Sequence, residues 1–378
     1  MSCQSKIRDI RCARRIVVKV GTSSITHVNG QIHVRRLDRL IRQLADLANA
    51  GKEVVLVSSG AVAAGMKTLG FLSRPTQLAD KQAAAAVGQG VLMHMYEKLF
   101  REYGVCVGQV LLTKGDYLHP RHYLHARNTL VRLLELGAVP VVNENDTVST
   151  EEIKIGDNDT LSAMVASIVD ADALVLLSDI DGLYTANPAT DSDAVLRPMV
   201  EELTDAVWQS AQGSGTALGT GGMYTKLLAA DIAMNSGVDM IIANASTPEV
   251  LLRIFDAEAI GTRFVAHDVH PQMWKRRLLF GAEMCGKITV DAGCKEAVVR
   301  QGASILPVGI VDVDGEFAQG DGIAVYYGHW EIARGMAGFD SHELRLIMGH
   351  KTGEIADLLG YVPANTAAIH RDHLVRKQ

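Results

Sequence analysis

Residues 15–57 read RIVVKVGTSSITHVNGQIHVRRLDRLIRQLADLANAGKEVVLV, and the fold class is decided there. Arg15 to Val20 is a run of strand length that is apolar after Arg15 except for Lys19 near its end. Leu37, Leu40, Ile41, Leu44 and Leu47 then recur at helical spacing, and Gly51 supplies a helix stop. Glu53 to Val57 is a second apolar strand. A strand, an amphipathic helix and another strand predict a mainly parallel sheet with both faces covered.

The alternation continues in both directions, from about Arg14 to Phe264. Lys81 to Tyr103 and Tyr123 to Glu135 read as helices. Val105 to Leu112, Val139 to Asn143, Ala173 to Leu177 and Val238 to Asn244 read as strands. The expected class is α/β, an open, mainly parallel sheet sandwiched by helices. After about Gly281 the helical periodicity fades, and short strands broken by Gly and Asp turns take over. This predicts a small β-rich C-terminal domain. The expected boundaries are an N-terminal extension over 1–13, the α/β domain over 14–268, a joint over 269–281 and the β-rich domain over 282–378. The extension, lying ahead of the patterned sequence, is expected to be disordered.

Composition narrows the function classes. Of 378 residues, 48% are apolar, enough to build cores and exclude a disordered chain. No stretch of about 20 residues is apolar throughout, so no membrane span is expected, and the N-terminus has no apolar secretory core. Five scattered cysteines without a CxxC pair argue against a disulfide framework or a zinc site and fit a reduced cytoplasm. Net charge is −6, which offers no general attraction to nucleic acid or anionic membrane.

Polar and glycine residues collect just after the strands, where ligands bind in open parallel sheets. Lys19-Val20-Gly21-Thr22-Ser23-Ser24 puts a lysine inside an apolar strand end, which is costly unless it meets an anion; a lysine reaching solvent is the plainer alternative. Ser58-Ser59-Gly60-Ala61-Val62-Ala63-Ala64-Gly65, small residues between a strand and a helix, leaves N–H groups at a helix start, suited to an anion, though small-residue packing explains such runs too. Asn143-Glu144-Asn145-Asp146 through Lys154-Ile155-Gly156-Asp157-Asn158-Asp159 is the most informative stretch. One helix cap needs one residue, and here eight polar side chains gather, suiting an ammonium, a metal or a lysine partner. Gly219-Thr220-Gly221-Gly222-Met223-Tyr224-Thr225-Lys226 opens a helix like a phosphate cradle but is no Walker A motif; a plain loop fits as well. Ser178-Asp179 after a buried strand suits a nucleotide base or ribose, or simply a turn. Two lysines and an aspartate could neutralise charge on a transferred phosphoryl group. No nucleophile–histidine set, HExxH helix or metal-type histidine pattern competes with them.

VVKVGTSS, VSSGAVAAG, KQAAAAVGQG, VNENDTVSTEEIKIGDND, LLSDIDGLY and LGTGGMYTK together closely resemble the bacterial glutamate 5-kinases of the amino-acid kinase superfamily. The C-terminal part, from GKITVDAG through LPVGI to AIHRDHL, looks like that family's PUA domain. Ser58 and Ser178 stand where the family often has Thr, and both keep a hydroxyl.

The resemblance implies transfer of the γ-phosphoryl of ATP, with Mg²⁺, to the side-chain carboxylate of L-glutamate. The product, glutamyl 5-phosphate, opens proline synthesis, and proline is the implied feedback inhibitor. Lys19 and Lys226 would stabilise the transferring group, with Asp159 orienting them. Ser59, Asp146, Asn158 and Asn143 would bind glutamate. Lys19, Gly21, Ser178, Asp179 and the run Thr220, Gly221, Gly222, Met223, Tyr224, Thr225 and Lys226 would bind ATP. A cytoplasmic homo-oligomer, dimer or tetramer, and a hand-off to glutamyl phosphate reductase are also implied. Aspartate, carbamate or N-acetylglutamate are alternative acceptors on the same fold. RNA binding, known for PUA domains elsewhere, is not expected: residues 281–378 carry nine basic and thirteen acidic side chains.

Overall fold

The computed structural model describes residues 7–27, 30–148, 158–188, 190–191, 193–210, 222–267, 284–363 and 365–376. The chain divides into two compact units, Met1–Lys114 with Ala126–Val269, and Gly115–His125 with His270–Gln378. The expected joint lies outside the described residues, as do 149–157 and 211–221.

The first unit is built on one sheet. Its strands are β1 (Arg15–Val20), β2 (Glu53–Val57), β3 (Val107–Leu112), β4 (Val139–Glu144), β5 (Ala173–Ser178), β6 (Met199–Val200), β7 (Asp239–Asn244) and β8 (Thr262–Phe264). They lie in the order β3-β4-β2-β1-β5-β7-β8-β6. The six strands from β3 to β7 in this order pair in parallel, and β8 runs antiparallel to β7. β1, at the centre, is in register with β2 on one side (Val18 opposite Leu56) and β5 on the other (Val18 opposite Val175). The expected mainly parallel sheet is the one observed. β6 and β8 were not expected; at two and three residues, neither is long enough to show a period.

Strand periodicity fixes which face each β1 side chain takes. Ile16, Val18 and Val20 join a core with Leu37, Leu40, Ile41 and Leu44 of the helix Val34–Asn49. That helix stops as expected, with Gly51 at φ +89°, a conformation costly for other residues. Val17 and Lys19 therefore point to the other face, where the helix Asn158–Ile168 packs against β1. From Asp159 onward every residue of that helix is buried, which explains its all-round small and apolar composition. Each fully buried Val or Leu here contributes about 1.5–3 kcal/mol.

The helix Ala61–Thr68, launched from the end of β2, packs on the long helix Leu78–Glu102 with backbone against backbone. A Cβ on Gly65 would lie 1.7 Å from the carbonyl oxygen of Ala84, and one on Gly88 1.7 Å from that of Ala61. Only glycine permits this approach, and it sets the height of the Ser58–Gly60 turn.

The N-terminal extension departs from expectation. Ile10 and Ala13 are buried, and Asp9 caps a short turn over Ile10–Cys12. The Asp172 carboxylate accepts hydrogen bonds from the backbone N–H groups of Arg14 and Arg15 (2.8 and 2.9 Å). Disorder thus does not hold for residues 7–13, because Ile10 finds a place in the core.

The second unit carries a five-stranded sheet of β9 (Gly286–Val290), β10 (Ile310–Gly315), β11 (Gly322–Tyr327), β12 (Trp330–Met336) and β13 (Leu374–Arg376), ordered β10-β9-β11-β12-β13. Only β9 and β11 pair in parallel. Ile288, Val290, Ile323 and Val325 form its core with Leu344, Ile347 and Ile355. The last three belong to the helices Ser341–Ile347 and Ile355–Leu359, which the β-rich reading had left out. Both are too short to show a 3.6-residue period. The first has a capping box, Asp340 with Glu343, as its local signal.

Candidate active site

Three distant segments meet at one carboxylate. Lys19 Nζ lies 2.5 Å from Asp159 Oδ1, and Lys226 Nζ lies 3.0 Å from Asp159 Oδ2. Both lysines are 6% exposed and Asp159 is 0% exposed. Charges this deep require partners. One carboxylate serves two ammonium groups, so the cluster keeps one net positive charge, held in a poorly hydrated place. The Thr225 hydroxyl donates to the Gly222 carbonyl (2.8 Å) and stands 3.4 Å from Asp159 Oδ2. Lys226 belongs to the first turn of the helix Met223–Asn235, so the residues Met223 to Lys226 are helical and do not form a loop ahead of it.

Three helix N-termini at this end of the sheet begin on glycine. Gly21, Gly60 and Gly222 occupy N-cap positions, and no side chain caps any of the three turns. Gly60 is left-handed at φ +92°, where a side chain would strain the backbone. Uncapped N–H groups at the positive end of a helix suit phosphate or carboxylate oxygens. Gly21 follows Val20, which is in register with Leu177, so Ser178 and Asp179 at the end of β5 emerge beside it. Ser178 is buried and donates to Asp179 Oδ1 (3.1 Å). Tyr224 is half exposed and stacks at a tilt on Trp208, their rings 5.6 Å apart. Thr220 and Gly221 lie outside the described residues.

The acceptor-side residues converge on Asn158. Its Nδ2 donates to the Ser58 carbonyl, to Ser59 Oγ (2.9 Å) and to Asn143 Oδ1 (2.9 Å). Asn143 is buried at the end of β4, and its Oδ1 also accepts from the Glu144 N–H (2.9 Å). Asp146 sits in the following turn, and burial pushes its carboxyl up to about 6. Lys154 to Asp157 lie outside the described residues. Ser58, which no expected role singled out, pairs its hydroxyl with buried Tyr96 Oη at 2.7 Å.

Among the described residues no group of three or more His, Cys, Asp or Glu side chains could hold a metal ion. Both oxygens of Asp159 face lysines, so the described residues do not fit a protein-built Mg²⁺ site. The two lysines and the uncapped glycine turns do fit an ATP polyphosphate.

The model of the amino acid kinase family matches residues 14–244, and that of the PUA domain matches residues 286–359. The glutamate 5-kinase of Moorella thermoacetica is 49% identical over 364 residues, covering 96% of each chain. That of Carboxydothermus hydrogenoformans is 50% identical over 369 residues, covering 97% of this chain and 98% of its own. That of Caldanaerobacter subterraneus is 48% identical over 363 residues. A likeness of this depth over nearly the whole chain shows that it belongs to the amino acid kinase family and, within it, to the glutamate 5-kinases.

Proposed function

We propose that the protein transfers the γ-phosphoryl group of ATP to the side-chain carboxylate of L-glutamate, giving L-glutamyl 5-phosphate. The observation that carries this reading is the buried bridge of Asp159 between Lys19 and Lys226. A carboxylate acceptor is already ionised at neutral pH, so the site needs no general base. The acceptor oxygen bonds to the γ-phosphorus while the bond to the β,γ-bridging oxygen breaks, ADP leaves with that electron pair, and no proton moves. Catalysis is then positioning and charge stabilisation. Lys19 and Lys226 face the transferring group, and Asp159 holds them apart. The turns at Gly21 and Gly222 take the polyphosphate, with Ser178, Asp179, Thr220, Gly221, Met223, Tyr224 and Thr225 around the nucleotide. Mg²⁺ is assigned to the phosphates of ATP.

On the acceptor side, Asn158, Ser59 and Asn143 hold the substrate by hydrogen bonds, and the Asp146 carboxylate meets its ammonium. An acetylated amine would leave Asp146 without that partner, which disfavours N-acetylglutamate. The site's work falls within residues 14–268, and residues 282–378 form an accessory domain. Proline, which shares the α-amino acid group, is proposed to inhibit by competing at this pocket. The protein is proposed to work in the cytoplasm as a dimer or tetramer. Its product, a labile acyl phosphate, suits prompt delivery to a glutamyl phosphate reductase. Hydroxamate formation from ATP with L-glutamate, L-aspartate or N-acetyl-L-glutamate, with and without proline, tests the reading. L-glutamate should be strongly preferred, and a preference for the acetylated acceptor overturns the assignment.

A further inference from the structure

The long helix Leu78–Glu102 buries two polar side chains in an otherwise apolar face. Gln89 and Tyr96 are seven residues apart, two turns along one side. Tyr96 is 1% exposed, and its hydroxyl lies 2.7 Å from Ser58 Oγ. Gln89 Nε2 donates to the Glu144 carbonyl at 3.3 Å. Ser58 follows β2 and Glu144 ends β4; Ser59 continues the first, and Asn143 and Asp146 flank the end of the second. We infer that Tyr96 is a positioning residue for the acceptor pocket, acting through Ser58 on Ser59 and Asn158, with Gln89 steadying the turn to Asp146. The inference rests on the glutamate reading for its kinetic test.

Simple packing would be served as well by Phe, which brings no hydroxyl to satisfy in a dry place. The hydroxyl of Tyr96 instead fixes Ser58, and the Ser58 carbonyl accepts from Asn158 Nδ2, one residue before Asp159. Burial pushes the Tyr96 hydroxyl up to about 12, so this anchor does not titrate at working pH. A cavity of about 10 Å³ bordered by Ser58, Gln89, Tyr96 and Asn143 lies beside the bond.

Tyr96→Phe keeps the ring and removes the hydroxyl. The KM for L-glutamate should rise about fivefold, the size of one lost hydrogen bond, while the KM for ATP changes less than about twofold. Ser58→Ala should have a similar effect, and the double variant should be no worse than the worse single one. Hydrogen exchange of the amides over residues 57–61 should accelerate in Tyr96→Phe without any substrate. Equal rises in both KM values, or additive effects of the two substitutions, overturn the inference. If the wild-type protein does not phosphorylate L-glutamate, the acceptor reading has failed and the exchange experiment alone decides. Unchanged exchange over 57–61 then overturns the positioning role.

Discussion

The two halves of the site are stabilised in opposite ways. Around Asp159 two ammonium groups share one carboxylate, and the three side chains hold one another in place with no substrate needed. On the acceptor side the neutral groups are matched, through Asn158, but Asp146 is left in a half-buried place that disfavours its charge. The phosphoryl half is preorganised, as electrostatic catalysis requires. Among the described residues no cation pairs with Asp146, and under the proposed function its partner is the substrate ammonium. Substitutions should therefore damage the first half in rate and stability together, and the second half in affinity while sparing stability.

The largest effects should come from the bridge. Asp159→Asn leaves two buried ammonium groups facing a neutral amide. Removing one partner of a buried pair costs about 3–5 kcal/mol, so urea denaturation should show a loss of that order, with turnover close to abolished. Lys226→Ala removes one ammonium and leaves Lys19 with Asp159. Here the fold should survive while kcat falls at least about 10²-fold. Wild-type turnover in Lys226→Ala breaks the assignment of the bridge to the phosphoryl half.

Much of this division was legible in the sequence. Lys19 stood out because a charge inside an apolar strand demands an explanation, and strand periodicity aims it at the helix that begins with Asn158 and Asp159. Asn143, Asp146 and Asn158 stood out by density. Tyr96 and Gln89 left no such trace: each is one of many polar residues along its helix, and their partners Ser58 and Glu144 are 38 and 55 positions away. The pairing exists only after Gly65 and Gly88 bring two helix backbones together. Likewise β6, β8 and the helices after β12 are too short for periodicity to register, and tertiary packing decides them.

That glycine contact yields an intermediate effect. Gly65→Ala forces a methyl into the Ala84 carbonyl, an overpacking that costs typically about 1–3 kcal/mol. Because the same helix carries the Gly60 turn, the KM for L-glutamate should rise along with the loss in denaturation midpoint. A loss of stability with unchanged KM would separate helix packing from the acceptor half.

The subtlest test concerns pH and Asp146. Its carboxyl titrates near 6 in the free protein, so it takes up a proton as pH falls through that value and loses its hold on an ammonium. The KM for L-glutamate should be flat above about pH 7 and climb toward tenfold per unit below about pH 6, the slope of a single titrating group. Stability should move the other way. A carboxyl raised in the folded state above its ordinary value costs stability once ionised, and the cost is relieved as pH drops from about 6 toward 4. Asp146→Asn removes that cost, so at pH 8 the free variant should melt slightly higher than wild type while binding L-glutamate worse. A lower melting temperature in Asp146→Asn would mean that Asp146 already has a favourable partner in the free protein, and the contrast between the two halves would collapse.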